Sequence, residues 1–173
     1  MEEEIAWAGK WIVAKRRGKW EYVSRARGIR AAVIVAIDDE DHVLLVDQYR
    51  VPLGKRCLEL PAGLIGDEAG HEGDSPFEAA RRELIEETGY DSAAIEDLGE
   101  YYSSPGLVSE SFTLVRATGL TKVGEGGGLE DEDIIVHRVP LAGLPAFVAE
   151  KRAEGLAIDV KLLLLLSGAL LAD

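Results

Sequence analysis

The stretch SPFEAARRELIEETG, residues 75–89, constrains the fold more than any other, because it carries a full set of helix start and stop signals. Ser75 suits an N-cap, Pro76 suits the first helical position, and Glu78 stands where its side chain can return a hydrogen bond to the cap. Phe77, Ala80, Leu84 and the methyl of Thr88 follow at 3-4-4 spacing, which predicts one buried stripe, and Gly89 supplies a left-handed stop. A helix specified this well needs a sheet to cover.

The sheet is supplied on both sides of it. AAVIVAI, residues 31–37, is a continuous apolar run that predicts a strand buried on both faces, and VLLVDQYR, 43–50, predicts the next. With DDEDH between them as a turn, the two are expected to form an antiparallel hairpin in a central sheet. Residues 10–25 hold two short strands about a glycine turn, and RCLELPAG gives a short strand ended by Pro61 and Gly63. GDEAGHEG, 66–73, is polar and aperiodic, hence loop. Further strands are expected at about 98–104, 111–117 and 134–139, with the acidic loop EGGGLEDED between the last two. Pro145 opens a helix through Glu154, and Asp159 to Leu171 reads as a second, strongly apolar one. The alternation predicts one α/β domain, residues 31–173, preceded by a strand extension over 1–30, with no repeat and no linker.

Charge narrows the partners. Among 173 residues, 32 acidic side chains face 19 basic ones, a net charge of −13 that disfavours a nucleic-acid backbone or an anionic membrane. An anionic substrate requires a cation between it and the carboxylates. The single cysteine, Cys57, excludes an internal disulfide and reads as a buried thiol in a strand. The N-terminus lacks the basic-then-apolar order of a secretory signal, and the leucine run at 162–166 is too short to span a bilayer, so a cytoplasmic location is expected.

Within the helix, Glu83 and Glu87 are four residues apart and project from adjacent turns, and Glu86 flanks them. Arg82 lies four before Glu86, placed to pair along the helix or to hold the preceding loop. One reading is a solvated helix laced with ion pairs. The other is a cluster of oxygen ligands for a hard cation such as Mg²⁺.

With its flanks, the segment resembles the Nudix box: a glycine, five residues, a glutamate, seven residues, then Arg-Glu-aliphatic-x-Glu-Glu-x-Gly-aliphatic. The second half matches from Arg82 to Gly89, with Tyr90 in the closing aliphatic place, and LELPAG resembles the strand and turn that carry the box glycine at Gly63. The first half departs. Asp74 stands where the family has glutamate, ten residues separate it from Gly63, and Glu72 is an alternative for that role. The resemblance covers roughly residues 20–155. It implies an α/β/α sandwich around a mixed sheet and Mg²⁺-dependent hydrolysis of a nucleoside diphosphate linked to another moiety, with Mn²⁺ as the substitute ion.

The same resemblance assigns roles. Glu83 and Glu87 become direct metal ligands with the Ala62 carbonyl, Glu86 supports a further ion, and Glu110 joins through the SPG segment. Pro105, sixteen residues beyond Gly89, matches the spacing of the ADP-ribose pyrophosphatase branch. Glu130, or Glu132 beside it, falls at the place of the general base in a loop whose glycines permit closure. Arg50 ends an apolar strand and is either a bidentate diphosphate ligand or a surface arginine. Trp20 and Tyr22, with Pro105 and Gly106, either stack the base or plug a sheet interface, and family members swap this region in a homodimer. GDP-mannose and UDP-glucose are alternative substrates, and a non-catalytic nucleotide-sugar-binding module is the alternative to an enzyme. Of the histidines, His42 belongs to a hairpin turn, His71 to the inserted loop, and His137 is structural.

Overall fold

The computed structural model describes residues 2–26, 30–65, 75–129 and 132–170. Three strands open the chain: β1 (Glu3–Ala8), β2 (Ile12–Arg17) and β3 (Trp20–Arg25), an antiparallel sheet in that order. The glycine-turn hairpin is β2–β3, and β1 is an addition that the sequence reading missed. This sheet is joined to the body along one edge, where Val23 N–H donates to the Leu107 carbonyl and Ser109 N–H to the Val23 carbonyl, both at 2.9 Å.

The body is built from β4 (Arg30–Ala36), β5 (His42–Arg50), β6 (Lys55–Glu59), β7 (Ala62–Ile65), helix α1 (Pro76–Thr88), β8 (Tyr90–Tyr102), β9 (Ser111–Lys122), β10 (Ile135–Pro140), helix α2 (Leu144–Ala153), β11 (Ala157–Ile158) and helix α3 (Leu163–Leu170). The strands pair as β7-β4-β9-β8 and β10-β5-β6-β11, each mixing parallel and antiparallel neighbours. The expected β4–β5 hairpin is therefore corrected. The two strands meet only at the Ile37–Val43 bridge and then diverge into different sheets. Both are apolar on two faces, and neither pattern selects a partner.

Alternation along these strands separates two cores. Val33, Val35, Val43 and Leu45 pack with Leu144 and Val148 of α2 and with Leu162 and Leu166 at the C-terminal end. Ala32, Ile34, Ala36 and Leu44 face Ala80 and Leu84 of α1. The strands thus form a mixed β layer between helices, the α/β/α arrangement expected. The C-terminal segment differs in detail, since a 3-10 turn (Val160–Leu162) precedes α3.

Helix α1 bears out its start and stop signals. Glu78 N–H donates to the Ser75 hydroxyl at 3.3 Å, Ser75 N–H donates to the Glu78 carboxylate at 2.9 Å, and Gly89 closes the helix with φ +75°. Its buried stripe is rotated from the one expected. Phe77, in the first turn, is 40% exposed, whereas Glu87 is only 5% exposed. At about 100° per residue, Glu87 falls about 20° from Ala80, Glu83 about 60° and Glu86 about 120° in the same sense. The helix therefore grades its carboxylates from buried to open, and Glu87 does not face away from the core.

Candidate active site

The turn between β6 and β7 meets α1 at this graded edge. Ala62 N–H donates to Glu87 Oε2 at 3.0 Å. Next to it, Gly63 lies so close to Glu83 that any Cβ there would collide with the Glu83 carboxyl group. Glycine here admits the Glu83 carboxylate, which any side chain would displace. Arg82 Nη1 reaches Glu83 Oε1 at 3.0 Å and Glu86 Oε2 at 3.5 Å, so the arginine runs along the helix as one of its two expected arrangements.

Burial pushes the Glu87 carboxyl up to about 8; the Ala62 N–H opposes the shift, the charges of Glu83 and Glu132 add to it, and Arg50 opposes it. Among the described residues no three acidic or histidine side chains are gathered in a metal-binding cluster. Arg82 holds Glu83 and Glu86, while Glu87 turns to Ala62. The donor chemistry still fits a hard divalent cation. The oxygens of Glu83, Glu86 and Glu87 are of the right type, and a cation beside Glu87 would offset the burial and like-charge repulsion that push its carboxyl up.

A cavity of about 340 Å³ opens beside this edge, with Ala62, Gly63, Arg25, Arg50, Glu59, Glu110, Phe112 and Lys161 among its walls. Arg50 is placed at the cavity but its fork is not open. Nε and Nη2 donate to the two oxygens of buried Glu59, each at 2.7 Å. The bidentate edge expected to grip a diphosphate is thus engaged within the protein, which leaves Nη1 outside the pair. Glu110 accepts from Arg25 Nε at 2.6 Å. Lys161 Nζ donates to Asp159 at 2.7 Å and lies over the Phe112 ring at 5.8 Å.

Trp20, Tyr22, Pro105 and Gly106 come together in a second cavity of about 350 Å³, with Arg17 and Ser109. The Tyr22 hydroxyl donates to Glu3, which ties the ring to β1. Between the two lies a third cavity that shares Arg25 and Glu110 with the first and Ser109 with the second. The cavities therefore follow one another from the edge of α1 past Arg50, Lys161, Arg25, Lys15 and Arg30 to the aromatic end with Arg17, within one chain.

Glu132 is exposed, and its Oε2 accepts from Leu129 N–H at 3.1 Å. Glu130 lies outside the described residues, as do Asp74, Glu72 and His71 of the inserted loop. The glycines before Glu132 are docked on the helix end. Gly127 N–H donates to the Glu87 carbonyl at 2.9 Å and Gly128 N–H to the Glu86 carbonyl at 3.0 Å. Gly89 and Gly126 pack backbone to backbone, where a Cβ on either would collide with the other segment.

Arg25, Glu59 and Lys161 were not foreseen as site residues. Glu59 carried a signal, since an acid inside RCLEL near the hairpin partner of Arg50 asks for a cation. Arg25 and Lys161 carried none, because they reach the cavity only through tertiary packing. His137 is structural as expected, bonded to Asp47 and set edge-on against Phe147. Cys57 is buried, with its thiol pushed up to about 12 by desolvation. Among the described residues, no helix is long and apolar enough to cross a membrane.

Residues 28–156 match the NUDIX domain. The chain belongs to the Nudix family. The family domain and a structural likeness to a solved hydrolase make it a hydrolase of the Nudix type. It is 37% identical over 123 residues to a methanol dehydrogenase activator from Bacillus methanolicus, covering 70% of this chain and 64% of that protein. A GDP-mannose pyrophosphatase from Cronobacter sakazakii is 37% identical over 159 residues, covering 87% of this chain and 76% of the relative. An ADP-ribose pyrophosphatase from Mycobacterium tuberculosis is 39% identical over 113 residues, 65% of this chain and 53% of its own length. The solved structure of an ADP compounds hydrolase superposes with a TM-score of 0.71 at 26% identity, covering 98% of this chain and 92% of that one.

Proposed function

We propose that the chain is a divalent-cation-dependent pyrophosphatase that cleaves ADP-ribose or a related nucleoside diphosphate sugar to AMP, or another NMP, and a sugar phosphate. The observation that carries this reading is the order of three adjoining cavities, from the carboxylate edge of α1 past cationic walls to the aromatic Trp20–Pro105 end, which suits a diphosphate followed by a nucleoside. Glu83 and Glu87, with the Ala62 carbonyl, would hold Mg²⁺, or Mn²⁺ in its place, and Glu86 and Glu110 would hold further ions. When bound, the cation supplies charge against the phosphate oxygens and acidifies water.

The chain's own groups do the rest. Glu132, or Glu130, takes the proton of the attacking water. Arg50 Nη1, Arg25 and Lys161 offset phosphate charge, and Trp20 and Tyr22 hold the base against Pro105 and Gly106. The N-terminal sheet exposes Ile5, Trp7, Trp11 and Trp20, which supports a homodimer through this region. Arginine and lysine walls, and relatives named for both sugars, support a nucleotide sugar more than a bare nucleotide.

A panel of ADP-ribose, GDP-mannose and UDP-glucose at matched Mg²⁺, with products resolved by chromatography, tests the reading. AMP with ribose 5-phosphate as the leading products supports it. GMP with mannose 1-phosphate as the leading pair moves the assignment to the GDP-mannose branch, and intact substrates throughout would defeat it.

A further inference from the structure

The acidic segment after the glycines is fastened at two ends, and the second fastening has no part in the chemistry assigned so far. At the first end, Gly127 and Gly128 donate to the last carbonyls of α1. At the second stands Arg56 of β6. Its Nη2 donates to the main-chain carbonyl of Asp133 at 2.8 Å, and its Nη1 to the Asp133 carboxylate at 2.7 Å. The same guanidinium is held from behind. Nε donates to the buried Asp47 carboxylate and Nη2 to the Asp47 carbonyl at 2.7 Å, while the other Asp47 oxygen meets His137.

We propose that Arg56 is a positioning residue that ties the main chain at Asp133 to the β5–β6 pair and so fixes the adjacent Glu132 over the end of the carboxylate helix. The inference rests on the hydrolase reading in which Glu132 receives the water's proton. Three features of the geometry carry it. Asp47 is 3% exposed, so the arginine is braced on a group that cannot swing. The planar guanidinium reaches two carboxylates through Nε and Nη1 and two main-chain carbonyls through Nη2, a set that a lysine cannot reproduce. The Asp133 carboxylate is 86% exposed, so that ion pair is screened and the bond to its carbonyl is the effective tether.

The test uses the full-length chain and two readouts. In steady-state kinetics, Arg56→Met lowers kcat roughly 10–100-fold, as displacement by about an ångström does, with KM and the Mg²⁺ requirement within about twofold. Asp133→Asn, which keeps the carbonyl, stays within about twofold of wild type. In a Glu132→Gln background, Arg56→Met costs no more than about a further twofold, because a group acting through Glu132 has nothing left to position. An undiminished effect in that background overturns the proposal.

The second readout is amide hydrogen exchange, which needs no turnover. Arg56→Met speeds exchange of the hydrogen-bonded N–H groups of Leu129 and Glu132, while those of β4 and β9 stay slow. Wild-type protection in the variant overturns the tether. Because Arg56→Met strands the Asp47 charge, the pair Arg56→Met with Asp47→Asn gives the same comparison in a protein without it. A wild-type protein that turns over nothing defeats the hydrolase reading instead, and exchange alone then decides the tether.

Discussion

Replacing Glu87 by glutamine tests the electrostatic strain at the candidate metal site in the metal-free protein. The carboxyl is raised from 4.5 to about 8, chiefly by burial. An acid raised in the folded state binds its proton more tightly there than in the unfolded chain. Stability is therefore full below pH 4.5, falls as pH rises through the window to about 8, and levels beyond it. A rise this large amounts to about 5 kcal/mol, or roughly 10–20 °C in Tm for a domain of this size. Glutamine retains an acceptor for Ala62 N–H and removes the charge. In EDTA, Glu87→Gln should exceed wild type by only about 1 kcal/mol near pH 5 and by several kcal/mol at pH 8.5. Other carboxylates, such as Asp38 and Asp91 with lowered values, titrate equally in both proteins and cancel. Urea unfolding at pH 5, 6.5 and 8.5 is the assay. Mg²⁺ should raise wild type at pH 8.5 and leave the variant nearly unmoved. Parallel pH profiles for the two metal-free proteins would show that Glu87 carries no such penalty.

Four further outcomes follow from the same geometry. Gly63→Ala forces its Cβ into the Glu83 carboxyl group, and Mn²⁺ titration should show divalent affinity weakened roughly 10–100-fold with the fold retained by circular dichroism. Ser75→Ala removes half of the capping box and should cost about 1 kcal/mol in urea unfolding without changing kcat at saturating Mg²⁺. Trp20→Ala should raise KM for a nucleotide sugar severalfold with kcat little changed, since it removes a wall and no reacting group. Leu84→Ala, at a fully buried position, should cost about 2–5 kcal/mol in the same unfolding assay.

Helix α1 was legible because its signals are local. Ser75, Pro76, Glu78 and Gly89 act within a turn of themselves, and each does in the structure what its chemistry requires. Strand positions were legible for the same reason, while the divergence of β4 from β5 was not, since two wholly apolar strands accept many partners. The carboxylates were found by spacing, but their gradation from Glu87 to Glu86 needed the helix phase, which Phe77 misdirected. A large aromatic in a first turn is free to sit at the layer's rim. Arg50 shows the further limit. Its residue type was right for a phosphate, yet Glu59, nine residues on and across a hairpin, occupies its fork. Pairings that depend on register, like those of Arg56 with Asp133, stay hidden until the sheet is built.

The central claim is that the α1 carboxylates serve diphosphate cleavage through a divalent cation. Its most direct measurement is AMP release from ADP-ribose by wild type, Glu83→Gln and Glu87→Gln across a Mg²⁺ titration. Wild type should release AMP only with the cation, and both variants should lose more than the roughly 10–100-fold that follows removal of an outer partner of a metal ligand. Variants that turn over like wild type at saturating Mg²⁺, or wild-type release that persists in EDTA, would contradict the claim.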